Sequence, residues 1–494
     1  MGESAKENPL NIVIVSSEAV PYAKTGGLAD VAGALPMALA ETGHNVSLFI
    51  PLYKVIDKKA HSVKSLDKSV SIPVSARIET GALYHAGNGV YDTYFIGHEG
   101  YFGRDKLYNT VKGDYPDNIE RFAFFNLAVL EAIKKLGLKP DLIHVNDWQT
   151  SLIPVYLKAR YRNDPALGSA ASLLTIHNLG YQGRFEASQW HLLGLKWDEL
   201  FNMAGLEYFG GINLLKGGLL FADMISTVSE TYAEQIQGPD QGAGLDRLLT
   251  GRSSNLFGVL NGIDDKEWNP AIDPFIAARY SDKDLGGKKI CKEKLLKELK
   301  LDQGPQPVLA MVTRLTEQKG IDLLLGCLDA MMKRDIKLVI LGSGQKKYED
   351  AIGEIESRYP GRASARVGFD AKLSHRIIAG ADIFLMPSKY EPCGLTQMYS
   401  LAYGAAPLVR ATGGLNDTVT GFDPKTGSGN GFKFDEYTQD ALYRKICEAL
   451  DFFNGRPEQW VKLIKRGMRE NHSWADSARK YGKLYKRAIG SAGR

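Results

Sequence analysis

Arg314 and Lys319 lie close together in TRLTEQKG (313–320), between a strand-like and a helix-like run. Two cations so placed could clamp a diphosphate and neutralise charge on a departing nucleotide. A solvated helix start has the same residue types. Glu391 lies in YEPCGLTQ (390–397), just ahead of an apolar helical stretch. With Gly394 and the Thr396 hydroxyl beside it, this carboxylate could bind sugar hydroxyls while backbone N–H groups hold phosphate. As a plain helix-start charge it would need only Cys393 as a small buried filler. In Lys24-Thr25-Gly26-Gly27-Leu28 the glycine pair lets the backbone approach an anion at a helix start, and it equally suits a tight turn. His177, in TIHNLGYQG, ends an apolar run, where a lone histidine is more often a hydrogen-bonded core or loop residue than a catalyst. None of the nine histidines forms HExxH or pairs with cysteine at ligand spacing, so no metal site is expected.

The elements that must hold these residues follow from apolar patterning. LNIVIV (10–15) is a short β-branched run suited to a strand buried on both faces. Leu28, Val31, Leu35 and Leu39 then recur at helical spacing, Gly43 closes the helix, and a second strand spans 46–50. The alternation returns at DLIHVND (141–147), SLLTIHN (172–178), DMISTVSE (223–230) and LFGVLNGID (256–264), which predicts a parallel, doubly wound sheet. A polar, lysine-rich stretch at 282–300 intervenes before the pattern restarts. Strands are expected at 308–312, 337–341, 365–369, 382–386 and 407–409, with helices at 320–333 and 346–359. Two Rossmann-like sheets in series predict a cleft, with ligands at the carboxyl ends of the strands.

Composition sets outer bounds. A chain of 494 residues with 44% hydrophobic content is long enough for two large domains. The formal net charge of +4 is spread along the chain, so no nucleic-acid partner is expected, while a small anionic ligand stays open. Cys291, Cys327, Cys393 and Cys447 have no CxxC spacing and fit a reducing compartment. MGESAKENPL lacks a signal-peptide core, and no apolar run reaches the roughly 18–20 residues of a membrane span. A cytoplasmic protein without membrane partners is expected, or one of the plastid stroma had a transit peptide been removed. Nothing in the sequence sets the oligomeric state.

KTGGLADV at Lys24, TIHNLGYQG at Thr175, LNGID at Leu260, TRLTEQKG at Thr313, YEPCGLTQ at Tyr390 and TGGLNDTV at Thr412 occur in this order. Together they resemble the glycogen and bacterial-type starch synthases, over about residues 10 to 485. The resemblance implies the glycosyltransferase-B fold, two Rossmann-like domains facing a cleft. It also implies an ADP-glucose donor, a glycogen or starch-like α-glucan acceptor, and no cofactor. Lys24, Gly26 and Gly27 would then contact diphosphate and glucose, with Asp30 supporting their loop. His177 would touch the glucose 6-hydroxyl. Arg314 and Lys319 would hold the phosphates, Glu391 the transferred glucose, and Cys393, Gly394, Leu395 and Thr396 its hydroxyls and the distal phosphate. Phe369 would stack on adenine, and Asn261 and Asp147 would line the cleft, Asp147 on the acceptor side.

Two positions depart from the family's habit: Gln149 follows NDW where histidine is common, and Gln345 stands in GSGQ where aspartate is common. A further position discriminates between relatives. Sucrose and trehalose-phosphate synthases, the nearest enzyme alternative, carry a second glutamate where this chain has Tyr399. A catalytically silent glucan-binding protein on the same fold is the alternative from another class. The resemblance also implies a final helix returning to the first domain. The expected domains are therefore 1–258 plus 475–494, and 259–474, with a hinge near 258 and 475.

Overall fold

The computed structural model describes residues 8–110 and 113–492. Residues 1–7 of MGESAKENPL lie outside the described residues. The chain divides into two units, one of Met1–Val228, Ala233–Val259 and Trp474–Arg494, the other of Ser229–Tyr232 and Leu260–Ser473.

In the first unit β1 (Asn11–Val15) is central, and every residue after Asn11 is buried. Helix α1 (Gly27–Glu41) buries Leu28, Val31, Leu35 and Leu39 on one face, as their spacing requires. Gly43, at φ 95°, turns the chain into β2 (Asn45–Pro51). Then follow β3 (Lys64–Val74), β4 (Arg77–Gly87), β5 (Asp92–Gly97), helix α2 (Asn118–Lys135), β6 (Leu142–Asn146), β7 (Ala171–Ile176), β8 (Met224–Thr227) and β9 (Leu256–Gly258). They form one sheet in the order β9-β8-β7-β6-β1-β2-β5-β4-β3. It is parallel from β9 to β5, but β4 runs antiparallel to both β5 and β3. The strands expected from the sequence are all parallel to their neighbours, and the antiparallel edge adds strands that were not expected. Strand β3 ends in an alternation of buried and exposed residues, so only one of its faces is covered, and it lacks the continuous apolar run of a parallel strand. The helix Trp474–Ala492 packs on α1 and β7 and buries Tyr481 and Tyr485.

In the second unit the lysine-rich stretch, to which the sequence reading gave no conformation, holds a helix, α3 (Gly286–Glu298). It buries Cys291, Leu295 and Leu296 and leaves most of its lysines in water. Lys292 is largely buried on Asp382, and Lys288 more so: its ammonium donates to the Ala379, Ala381 and Tyr403 carbonyls, and burial lowers it to about 8. Next come β10 (Val308–Val312), α4 (Ile321–Met332), β11 (Lys337–Gly342), β12 (Ala363–Val367), β13 (Ile383–Met386), helix α5 (Thr396–Ala402), β14 (Ala406–Arg410) and β15 (Phe432–Phe434). The sheet order is β12-β11-β10-β13-β14-β15, all parallel. The strand expected at 365–369 starts and stops two residues earlier, because Gly368 at φ 140° ends it before Phe369. The helix expected at 346–359 is two, Lys346–Gly353 and Ile355–Arg358.

Candidate active-site residues in each unit

In the second unit β10 and β13 are neighbours, so the loops leaving their carboxyl ends meet. Gly320 allows the meeting. It sits at φ 70°, and a Cβ there would lie 2.0 Å from the Pro387 carbonyl oxygen. Lys389 N–H donates to the Gln318 carbonyl at 2.8 Å and fastens the two loops. Lys319 and Glu391 are thereby joined as a largely buried ion pair, Nζ to Oε2 at 2.5 Å. The Ser388 hydroxyl donates to the same carboxylate oxygen at 3.0 Å. Arg314, in the loop that leads to Lys319, is exposed.

The Glu391 loop is held from three sides. Gly413, at φ 45°, comes so near that a Cβ would stand 1.9 Å from the Glu391 carbonyl oxygen, and Gly414 N–H donates to that oxygen at 3.1 Å. The Gln397 amide donates to the Cys393 and Gly394 carbonyls, and the Ser229 hydroxyl donates to the Pro392 carbonyl at 2.6 Å. Gly394 takes φ 71° at the turn into α5, Leu395 and Thr396 are partly exposed at its start, and the Thr396 hydroxyl donates to Met386 Sδ at 3.4 Å. Cys393 is buried, and that burial pushes its thiol up to about 12, so it is a neutral filler rather than a nucleophile. Asn261, buried beside it, has a side-chain oxygen with no hydrogen-bond partner. A buried acceptor left open favours a ligand donor. Phe369 is 86% exposed, a free aromatic face after Gly368. Tyr399 is stacked on Trp268 at 3.8 Å, and Trp268 is stacked in turn on His375.

In the first unit the loop after β1 carries Lys24, Gly26 and Gly27. Lys24 Nζ pairs with Asp30 Oδ1 at 2.6 Å, and burial raises Asp30 while Lys24 opposes it. The Thr25 and Gly26 amides and the Thr25 hydroxyl donate to Glu18, a residue the sequence did not single out. Gly27 is exposed, with open space at its α-carbon.

After β6, Asp147 stands at φ 55° and its Oδ1 accepts His177 N–H at 2.7 Å. Burial pushes its carboxyl up to about 7 against hydrogen bonds from the His177 and Asn178 amides. Asn146 donates its amide to the Val15 carbonyl, which turns its oxygen toward His177 Nε2 at 2.8 Å. Nε2 therefore carries the proton and Nδ1 is the acceptor. Burial lowers His177 to about 3, so the ring stays neutral.

The candidates thus divide between the units, in loops and helix starts that follow strands: Lys24, Gly26, Gly27, Asp30, Asp147 and His177 in the first, Asn261, Arg314, Lys319, Phe369, Glu391 and 393–396 in the second. Sequence reasoning missed Glu18, Asn146, Ser229, Ser388 and Gln397, all buried polar residues; Ser388 bonds the Glu391 side chain three residues on, and the others bond backbone groups or side chains farther along the chain. A polar residue at or just after a strand end was the only signal for the first four, and Gln397 lies within α5. Among the described residues no cluster of three or more His, Cys, Asp or Glu could hold a metal ion, and no helix is long and apolar enough to cross a membrane.

Residues 11–251 match the starch synthase catalytic domain family, and residues 292–465 match glycosyl transferases group 1. The chain is 46% identical over 483 residues to a glycogen synthase of Syntrophotalea carbinolica, covering 97% of this chain and 99% of that one. It is 45% identical to a glycogen synthase of Koribacter versatilis, covering 97% and 98%. Among solved structures, the catalytic domain of starch synthase IV from Arabidopsis thaliana, bound to ADP and acarbose, superimposes with a TM-score of 0.91 at 32% identity, covering 98% of this chain and all of that one. A sucrose-phosphate synthase from Thermosynechococcus elongatus, at 18% identity and a TM-score of 0.61, shares the fold.

Proposed function

We propose, from the premise that the chain belongs to the glycogen and starch synthase family of glycosyltransferase-B enzymes, that it transfers glucose from ADP-glucose to the non-reducing end of an α-1,4-glucan with retention. The chain is a glucosyltransferase of glycogen or starch synthesis; the donor nucleotide, the site roles and a cytoplasmic location are our inference. The observation that carries it is the largely buried ion pair of Lys319 on Glu391, with Arg314 exposed in the same loop as Lys319. An ammonium has three donors, and Glu391 takes one. The others can meet ADP oxygens while Glu391 accepts from a glucose hydroxyl.

Neither buried carboxyl group described in the first unit is a candidate nucleophile, since Glu18 and Asp147 both hold backbone amides. Front-side displacement is therefore the favoured route. The bond from glucose C1 to the diphosphate oxygen breaks, an oxocarbenium-like sugar forms, and the acceptor 4-hydroxyl attacks from the face that ADP leaves. The departing phosphate oxygen takes the acceptor proton. Arg314 and Lys319 stabilise its growing charge, and neutral His177, an acceptor at Nδ1, receives the glucose 6-hydroxyl proton in a hydrogen bond. Lys24 and Gly27 contact diphosphate and glucose, and Asn261 offers its open oxygen to the sugar.

Two expected results test this reading. ADP-glucose should show a higher kcat/KM than UDP-glucose with a glycogen primer, because the Phe369 face suits a purine; preference for UDP-glucose would overturn the donor assignment. EDTA should leave that activity largely intact, since two cations supply the charge a metal gives elsewhere. Loss of activity restored by magnesium would end the cation-clamp mechanism.

A further inference from the structure

Glu18 stands at the carboxyl end of the central strand and is almost fully buried, yet no described cation pairs with it. The nearest lysine in its loop, Lys24, is engaged by Asp30. What compensates the carboxylate is a set of donors from the loop after β1: Thr25 N–H, the Thr25 hydroxyl at 2.8 Å and Gly26 N–H. These amides lie at the start of α1, where the helix dipole favours negative charge. The base of the loop is fixed separately, by Val20 N–H on the Ala29 carbonyl and by Gly33, where a Cβ would stand 2.4 Å from Val20 Cγ2. The apex, 24–27, has Lys24 half exposed and Gly27 open to solvent. Glu18 is the group that holds this apex from below.

We propose that Glu18 is a positioning residue for donor use, whose carboxylate fixes the Thr25 and Gly26 backbone so that Lys24 and Gly27 present their donors to the nucleotide sugar. The proposal rests on the donor reading above and adds a residue to it. It also revises the role of the glycine pair. The Thr25 and Gly26 amides serve an internal anion, and Gly27 is left for the ligand. Burial raises the Glu18 carboxyl to about 7. Protonation would then remove acceptor capacity from the loop, and donor use should weaken as pH falls below that point. The titratable groups facing Glu18 are Lys24 and Asp30 on the loop and α1, Tyr53 after β2, Tyr108, and Asp147 after β6. Of these Asp147 is raised to a similar value, so the pH arm needs the Glu18 variant as its reference.

The test compares wild type, Glu18→Gln and Glu18→Ala in two measurements. Hydrogen exchange on the peptide spanning 19–28 reads the loop without any substrate, and steady-state kinetics read donor and glucan dependence with whichever nucleotide glucose the wild type uses best. Exchange at 24–27 should rise in both variants, with the rest of the first unit protected as in wild type. The kcat/KM for donor should fall about tenfold or more, glucan KM should stay within twofold, and the loss of activity between pH 8 and 6 should be shallower in Glu18→Gln than in wild type. Unchanged exchange, or changed exchange with donor kcat/KM within twofold of wild type, overturns the proposal. Exchange rising throughout the unit also overturns it, since that marks a fold-supporting residue. Wild type preferring another donor overturns the ADP-glucose reading alone, while the exchange and the variant-to-wild-type ratios still decide the role of Glu18.

Discussion

Lys319→Ala should lower kcat by about 10²–10³ while changing the donor KM far less, because charge on the ADP oxygens grows as the glycosidic bond breaks and a preorganised cation matters most then. The same substitution strands Glu391, a buried carboxylate left with only the Ser388 hydroxyl on that oxygen. Breaking a buried pair from one side costs about 3–5 kcal/mol, so the variant should also lose thermal stability. The two losses can be separated. Lys319→Ala with Glu391→Gln removes the stranded charge and should regain most of the stability, yet remain as inactive as the single variant or more so. Single-turnover rates and melting temperatures of the single and double variants check this. If activity returned with stability, Lys319 would be a fold-supporting cation and the clamp would be abandoned. Arg314→Ala, at an exposed residue, should keep its stability, lose kcat and add some loss of donor binding.

The contrast between Lys319 and Arg314 shows what the sequence could disclose. Both residues, and Glu391, are legible as candidates because each follows a strand-like run and precedes a helix. Their pairing is not legible. It depends on β10 lying beside β13 rather than beside β12, and on Gly320 letting the backbone touch Pro387. Glu18 was missed for a related reason: a glutamate after a strand reads as a loop charge until the amides that surround it are placed. The strands β1, β2, β6, β7 and β8 were legible because burial on both faces leaves short, largely apolar runs broken only by small or singly placed polar residues. The antiparallel edge was not, since one-faced strands such as β3 hide their pattern among lysines and serines. In α3 the lysines masked a helix whose buried side is Gly287, Lys288, Cys291, Leu295 and Leu296.

The second large effect concerns pH and the core of the first unit. His144 is fully buried, with Nδ1 against the Tyr485 hydroxyl at 2.9 Å and Nε2 against the Thr175 hydroxyl at 2.6 Å. Burial, with a smaller contribution from His177, lowers it from 6.5 to about 3. The unfolded chain therefore binds a proton between those values that the native state refuses, and stability from this residue is present above 6.5 and lost as pH falls toward 3. The slope is about 1.4 kcal/mol per pH unit. His177 adds a second slope of the same sign. Glu18 and Asp147 act oppositely: their raised values make the native state bind protons between about 4 and 7, so their contribution falls as pH rises through that window. Between about 4.5 and 6.5 the four nearly cancel, and wild-type stability should be flat there as far as these groups decide it. His144→Gln removes one of the four. It should cost stability at pH 7 through the two lost hydrogen bonds, and the gap to wild type should close by about 2.3 kcal/mol between pH 6.5 and 4.5, since the full slope is reached only below the unfolded value of 6.5. Urea unfolding at pH 4.5, 5.5 and 6.5, read by pulsed hydrogen-exchange labelling of peptides from β6 and β7, follows this unit by itself. A gap that stays constant across the window would mean that His144 takes up its proton in the folded protein, and the neutral, buried hydrogen-bond relay from Tyr485 through His144 to Thr175 would have to be given up.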